Sequence, residues 1–181
     1  MALNYKRLEI PDLILIEPKV WQDERGFFME KYKQSEFEEI GIPSFKQDNY
    51  SHSKHGVIRG LHYQISPFGQ GKLVSVVKGR VWDVAVDVRK DSDFFGKWVG
   101  VELSEENKLS FYIPPGFAHG FSVLSDEANF LYKCTTEYSS LHERGIRYDD
   151  KELNIDWKVE TPSLSSRDMI WPGLNEIEKF N

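Results

Sequence analysis

The sequence predicts an all-β fold, and three observations carry that prediction. Apolar side chains recur mostly with the two-residue period of strands, turn-forming clusters separate the runs at near-regular spacing, and helix signals are few. Many short strands arranged this way imply a sandwich, a jelly roll or a barrel. In chain order the runs are Leu13–Glu17, Phe27–Tyr32, Phe45–Ser53, Lys72–Val77, Val81–Val88, Lys97–Leu103, Leu109–Ile113, Phe117–Leu124 and Asn129–Tyr138. Val81–Val88 is the cleanest, with Trp82, Val84, Val86 and Val88 on one face and Asp83, Ala85 and Asp87 on the other. The turns fall at Asp23-Glu24-Arg25-Gly26, Lys78-Gly79, Pro114-Pro115-Gly116 and Ser125-Asp126. Ser35-Glu36-Phe37-Glu38 reads as a capping box that opens a short helix closed by Gly41, and Ser104-Glu105-Glu106-Asn107 as the start of a helical turn. Beyond Asp149 strand character weakens, so residues 150–181 predict turns and short helices packed on the strands, ending in a loose tail. No linker or repeat interrupts the chain, and residues 1–181 read as one domain.

Composition narrows the class. A net charge of −6 without a long basic run argues against nucleic acid as a partner, although a basic pocket can still take an anionic small molecule. The single cysteine, Cys134, excludes an intrachain disulfide and fits a reducing compartment. The opening Met-Ala-Leu-Asn-Tyr-Lys-Arg lacks the apolar stretch of a signal peptide, and Leu13-Ile14-Leu15-Ile16 is too short to cross a bilayer. The expectation is a cytoplasmic protein without a membrane partner.

Two segments carry chemistry. Pro114-Pro115-Gly116-Phe117-Ala118-His119 resembles the later cupin motif, in which a tight turn delivers a histidine into a barrel mouth. Gly60-Leu61-His62-Tyr63-Gln64 stands where a cupin carries His-x-His, with a glutamate further on, seven residues before a glycine. Here Gln64 replaces the second histidine, and Lys72 is seven residues before Gly79. A divalent ion needs neutral imidazoles and a carboxylate, and an ammonium in the carboxylate's place repels it. The sequence therefore predicts a cupin-type jelly-roll barrel with no metal. His62, His119, Lys72 and Arg59 would converge on a mouth suited to anionic groups or a developing oxyanion. Taken singly, each of these residues is more often structural or solvated than catalytic. His52, His55 and His142 read as surface residues, and Cys134 as core rather than nucleophile.

Longer strings make the resemblance specific. Asp23–Glu30, Gln47-Asp48-Asn49, Gly56–Gln64, Asp83–Arg89, Ile113–Phe121, Tyr132–Thr135 and Leu164-Ser165-Ser166-Arg167-Asp168 together resemble the dTDP-4-dehydrorhamnose 3,5-epimerase family from about residue 8 to about residue 172. One departure is visible, since Arg167 stands where the family usually has lysine, which keeps the charge and changes the hydrogen-bond geometry. The resemblance implies proton exchange at the two carbons beside the C-4 ketone of a dTDP-linked 6-deoxyhexose. It implies His62 as base, Asp168 as the carboxylate orienting it, Lys72 as the cation for the enolate oxygen and Tyr132 as the acid on the opposite face. The ketone is its own electron sink, so no cofactor is implied. Arg25, Arg59 and His119 are similar to residues that hold diphosphate or sugar, with Glu30, Gln47, Asp48, Asn49, Glu143 and Arg167 as further polar contacts. Tyr138 resembles the aromatic that stacks on thymine, and Phe28 is a second candidate. Asp83 reads more weakly as a supporting residue near Lys72, and Arg25 and Glu30 could equally form a surface pair. The resemblance also implies a homodimer that exchanges N-terminal strands, with Arg25 or Glu30 reaching the partner's site. The alternatives are a relative that epimerises one carbon or isomerises the keto group, and a non-catalytic sugar-binding jelly roll.

Overall fold

The computed structural model describes residues 4–181. Met1–Leu3, part of the opening segment read above as no signal peptide, lie outside the described residues. The strands are β1 (Asn4–Arg7), β2 (Ile14–Glu17), β3 (Val20–Asp23), β4 (Gly26–Met29), β5 (Gln47–Lys54), β6 (Ile58–Gln64), β7 (Lys72–Lys78), β8 (Arg80–Asp87), β9 (Trp98–Ser104), β10 (Ser110–Ile113), β11 (Phe117–Val123), β12 (Glu127–Cys134) and β13 (Glu143–Gly145). One sheet runs β1-β2-β10-β7-β12-β5, a second runs β13-β6-β11-β8-β9, and β3 with β4 forms a separate hairpin. β5 pairs with β12, β6 with β11, β7 with β10 and β8 with β9, all antiparallel. That nesting is a long hairpin rolled on itself, the topology of a jelly roll, and the fold is a cupin-type barrel.

Both faces of the five-stranded sheet are covered. Its inner face meets the six-stranded sheet through Val81, Ala85, Leu103, Phe117 and Phe121 against Val74, Phe111, Ile113 and Phe130. Its outer face packs Val84, Val86 and Val88 on Leu153, Trp157 and Leu174 of the C-terminal segment. A fully buried side chain of this size contributes about 1.5–3 kcal/mol. The apolar face of β8 is thus the outer one, and its more polar face lines the barrel. Asp83 points inward because His119 is there to bond it.

Several local expectations change. The helix, α1, spans Gln34–Glu39 with Lys33 as its N-cap and no side-chain cap. Ser35 lies inside the first turn, so the expected capping box does not form. α1 buries Phe37, which meets Tyr32 edge-on at 4.9 Å. The run after Cys134 leaves the sheet, and residues 105–107 form a turn closed by Ser104 and Asn107 bonding each other's backbone N–H. The C-terminus is pinned rather than loose. Phe180 bridges to Arg89, and the Tyr63 hydroxyl donates to the Glu178 carbonyl at 2.5 Å.

Candidate active site

The site is built where β6 and β11 cross the barrel mouth. His62 of β6 lies opposite His119 of β11 in register. Their backbones approach so closely that a Cβ on Gly60 would fall 2.5 Å from the Gly120 Cα, and Gly60 holds φ at +125°. His62 is held by Asp168, with Nε2 and Oδ1 2.6 Å apart. Asp168 Oδ2 accepts from the Ser165 hydroxyl at 2.8 Å. Burial raises the Asp168 carboxyl, but the hydrogen bond and charge of His62, with Ser165 and Trp171, outweigh it and leave its pKa lowered. Asp168 is therefore ionised and keeps the shared proton on Nε2, which leaves the lone pair of Nδ1 available.

His62, Asp168, Lys72, His119, Arg59, Tyr132 and Arg167 all line one cavity of about 290 Å³, together with Ser51, Phe121, Phe130 and Ser165. Lys72 begins β7 and is 7 % exposed. Burial lowers its pKa, opposed by the charges of Cys134, Glu143 and Asp83. Tyr132 on β12 is raised, chiefly by burial, and so keeps its proton at neutral pH. His119 is bound by the fully buried Asp83 at 2.9 and 3.1 Å. Burial pushes the Asp83 carboxyl up against the pull of His119 and Lys72, so Asp83 supports His119 directly and faces Lys72 electrostatically. Among the described residues no group of three or more His, Cys, Asp or Glu is arranged to hold a metal ion. Gln64 is a structural staple, its amide bonding the Phe68 and Glu137 carbonyls and the Ser139 N–H.

The remaining residues divide by position. Gln47 and Asn49 share a face of β5, where Gln47 donates to Asn49 at 3.0 Å and Asn49 to the buried Cys134 thiol at 3.5 Å. Asp48 alternates to the opposite face and pairs with Lys133 at 3.0 Å, outside the cavity lining. Glu143 accepts from the Tyr138 hydroxyl at 2.6 Å and pairs with Arg167, so these three form one edge of the mouth. Arg25 and Phe28 lie elsewhere in this chain, lining a cleft of the β3–β4 hairpin with Trp21 and Phe27, and Glu30 is exposed nearby. Among the described residues Arg25 bonds its neighbour Asp23. His52 and His55 are exposed as expected, whereas His142 is half-buried against Phe68 and Ser139. Sequence reasoning missed Ser51 and Ser165. The β5 alternation Gln47, Asn49, Ser51 pointed to the first, and the Ser165–Asp168 spacing to the second.

The dTDP-4-dehydrorhamnose 3,5-epimerase family model matches residues 7–176. The chain belongs to this family. A dTDP-4-dehydrorhamnose 3,5-epimerase of Shigella flexneri is 58% identical over 169 residues, covering 92% of this chain and 93% of that one. A Legionella pneumophila family structure in complex with dTDP-4-keto-L-rhamnose has a TM-score of 0.94 at 52% identity, covering 98% of this chain and 95% of that one. ChmJ, a 3'-monoepimerase from Streptomyces bikiniensis, is more distant, with a TM-score of 0.89 at 32% identity over 97% and 88% of the two chains. No helix among the described residues is long and apolar enough to cross a membrane.

Proposed function

We propose that this chain epimerises dTDP-4-dehydro-6-deoxy-D-glucose at C-3 and C-5 to dTDP-4-dehydro-L-rhamnose, with residues 1–181 acting as one epimerase domain. The observation that carries the reading is the His62–Asp168 pair, 2.6 Å apart, opening into the cavity that also holds Lys72 and Tyr132. His62 Nδ1 takes the proton from the carbon beside the ketone, and the C–H electron pair delocalises onto the carbonyl oxygen as an enolate. Lys72 stabilises that oxygen with a buried charge. Tyr132 returns a proton from the other face as the enolate collapses to the ketone. Solvent then restores the tyrosine proton and removes the one on His62, so each carbon inverts without net gain or loss of atoms. Epimerisation at both carbons is favoured over one because relatives at 52–58% identity are 3,5-epimerases, whereas the monoepimerase ChmJ stands at 32%.

The cavity of about 290 Å³ suits a sugar ring better than a whole nucleotide sugar, since ligand pockets typically run about 300–1,000 Å³. Arg59, His119 and Arg167 are read as holding diphosphate or sugar, with Gln47, Asn49 and Glu143 as polar contacts and Tyr138 stacking on thymine. The β3–β4 hairpin supports a homodimer. It exposes Trp21, Phe27 and Phe28, and Arg25 stands 85 % exposed away from its own cavity. In this reading Arg25, Phe28 and Glu30 complete the site of a second copy. The enzyme is read as cytoplasmic, and its single cysteine, Cys134, which excludes an intrachain disulfide, supports a reducing compartment.

Incubation in heavy water tests the mechanism. Wild type should give product carrying deuterium at both C-3 and C-5, and label at one carbon alone would make it a monoepimerase. His62→Ala should lose both product and exchange, because no enolate forms. Tyr132→Phe should lose product far more than exchange in recovered substrate, because the proton can still leave and return on one side. Rapid exchange without His62, or normal epimerisation without the Tyr132 hydroxyl, would overturn the assignments.

A further inference from the structure

The cross-strand partner of His62 on β13 is Gly145, which offers no side chain beside the imidazole. That space is filled by Trp171, since a Cβ on Gly145 would fall 2.5 Å from two indole carbons. The indole meets the His62 ring edge-to-face, with centroids 6.1 Å apart at 67°. Arg167 lies over the same indole, 5.4 Å from its centroid. The Trp171 Nε1–H is sealed from solvent and falls short of full hydrogen-bond geometry with any acceptor among the described residues, yet it acts on the Asp168 carboxyl as a donor. Trp171 also bears on Asp168, three residues earlier, and helps to hold its carboxyl down.

We propose that Trp171 is a positioning residue for the His62–Asp168 pair, its ring fixing the imidazole and its N–H standing by the carboxylate. The inference rests on His62 being the base. When His62 takes the substrate proton, the pair becomes imidazolium and carboxylate. The indole N–H then offsets part of the carboxylate charge, which keeps the imidazolium acidic enough to release its proton. Without the N–H, Asp168 holds the imidazolium more tightly, and the acid limb of kcat/KM moves to higher pH. Lys72 on β7, His119 on β11, Tyr132 on β12, Arg59 on β6 and Arg167 are the charged and titratable groups that face the same cavity, and Arg167, which lies over the indole, keeps an aromatic face beneath it in Trp171→Phe.

Trp171→Phe keeps an aromatic ring and deletes the N–H. Its kcat should fall by roughly fivefold to tenfold with KM within about twofold, and the acid limb should rise. Gly145→Ala, which displaces the indole, should lower kcat in the same way. A ¹⁵N NMR titration of the His62 ring reads the upward shift in Trp171→Phe without needing turnover. Deuterium exchange by wild type, measured alongside, reports on the epimerase reading separately. A folded Trp171→Phe with unchanged kcat, acid limb and His62 titration would overturn the proposal, as would Gly145→Ala retaining full kcat.

Discussion

Lys72 is a side chain costly to the fold, and the proposed reaction gives that cost a use. Its ammonium is buried, and among the described residues no hydrogen bond or ion pair reaches it. An enolate oxygen arriving there meets a cation that burial has largely withdrawn from bulk solvent, so the attraction is strong when charge develops. Lys72→Ala should slow the chemical step by roughly 10²–10³, by analogy with deleting an oxyanion donor, while substrate affinity changes much less. Single-turnover rates with a separate binding titration check this, and a weakened affinity with an unchanged rate would make Lys72 a binding residue only. The sign of its pKa shift gives a second readout. Burial favours the neutral amine, so the charge is lost as pH rises at a value below the ordinary 10.5. The alkaline limb of kcat should therefore lie below that value and move upward in Lys72→Arg, which keeps its charge. Tyr132 is shifted the other way, so it outlasts Lys72 as an acid on the alkaline side.

Among the elements, the crossing of β6 and β11 sets the geometry of the site. The pairing shifts register between His119 and Phe121, and Gly60 and Gly120 lie against each other there. A Cβ at Gly60 would meet the Gly120 Cα at 2.5 Å and the His119 carbonyl oxygen at 2.7 Å, and a φ of +125° suits no other residue. Gly60→Ala should destabilise the protein by roughly 2–4 kcal/mol through strain and forced separation of the strands. Denaturant unfolding measures this, and a loss under about 0.5 kcal/mol would show that the crossing is not tight. The residual activity should fall further than the folded fraction, because His62 and His119 ride on the two strands being separated.

For the whole molecule, the proposed homodimer gives a use to a hairpin placed away from its own cavity. If it completes the site of a second copy, Arg25→Ala and His62→Ala damage different chains of the same site. Each variant alone should be nearly inactive at low substrate concentration. Co-expressed in equal amounts, half of the dimers are mixed, and each mixed dimer has one intact site. Activity should recover to about a quarter of wild type. If Arg25 served its own chain, every site would lack one residue or the other and nothing would recover. Light scattering on the mixture reports the oligomeric state in the same experiment.

The sequence by itself determined the all-β class, most of the turns and most of the residues that line the cavity. These are local matters, since strand periodicity and a Pro-x-Gly turn act over a few residues. Even Asp168 was legible only through a resemblance of whole strings, because it lies 106 residues from the histidine it holds. Alternation along β8 separated its faces correctly but could not say which one faces the barrel. Both are buried, one by the opposite sheet and one by the C-terminal segment, so polarity no longer marks the outside. The supposed loose tail, the partners of Gln64 and the indole beside His62 were likewise decided by the tertiary structure. Each depends on which distant segment fills a space left beside a strand, and a two-residue period carries no information about that.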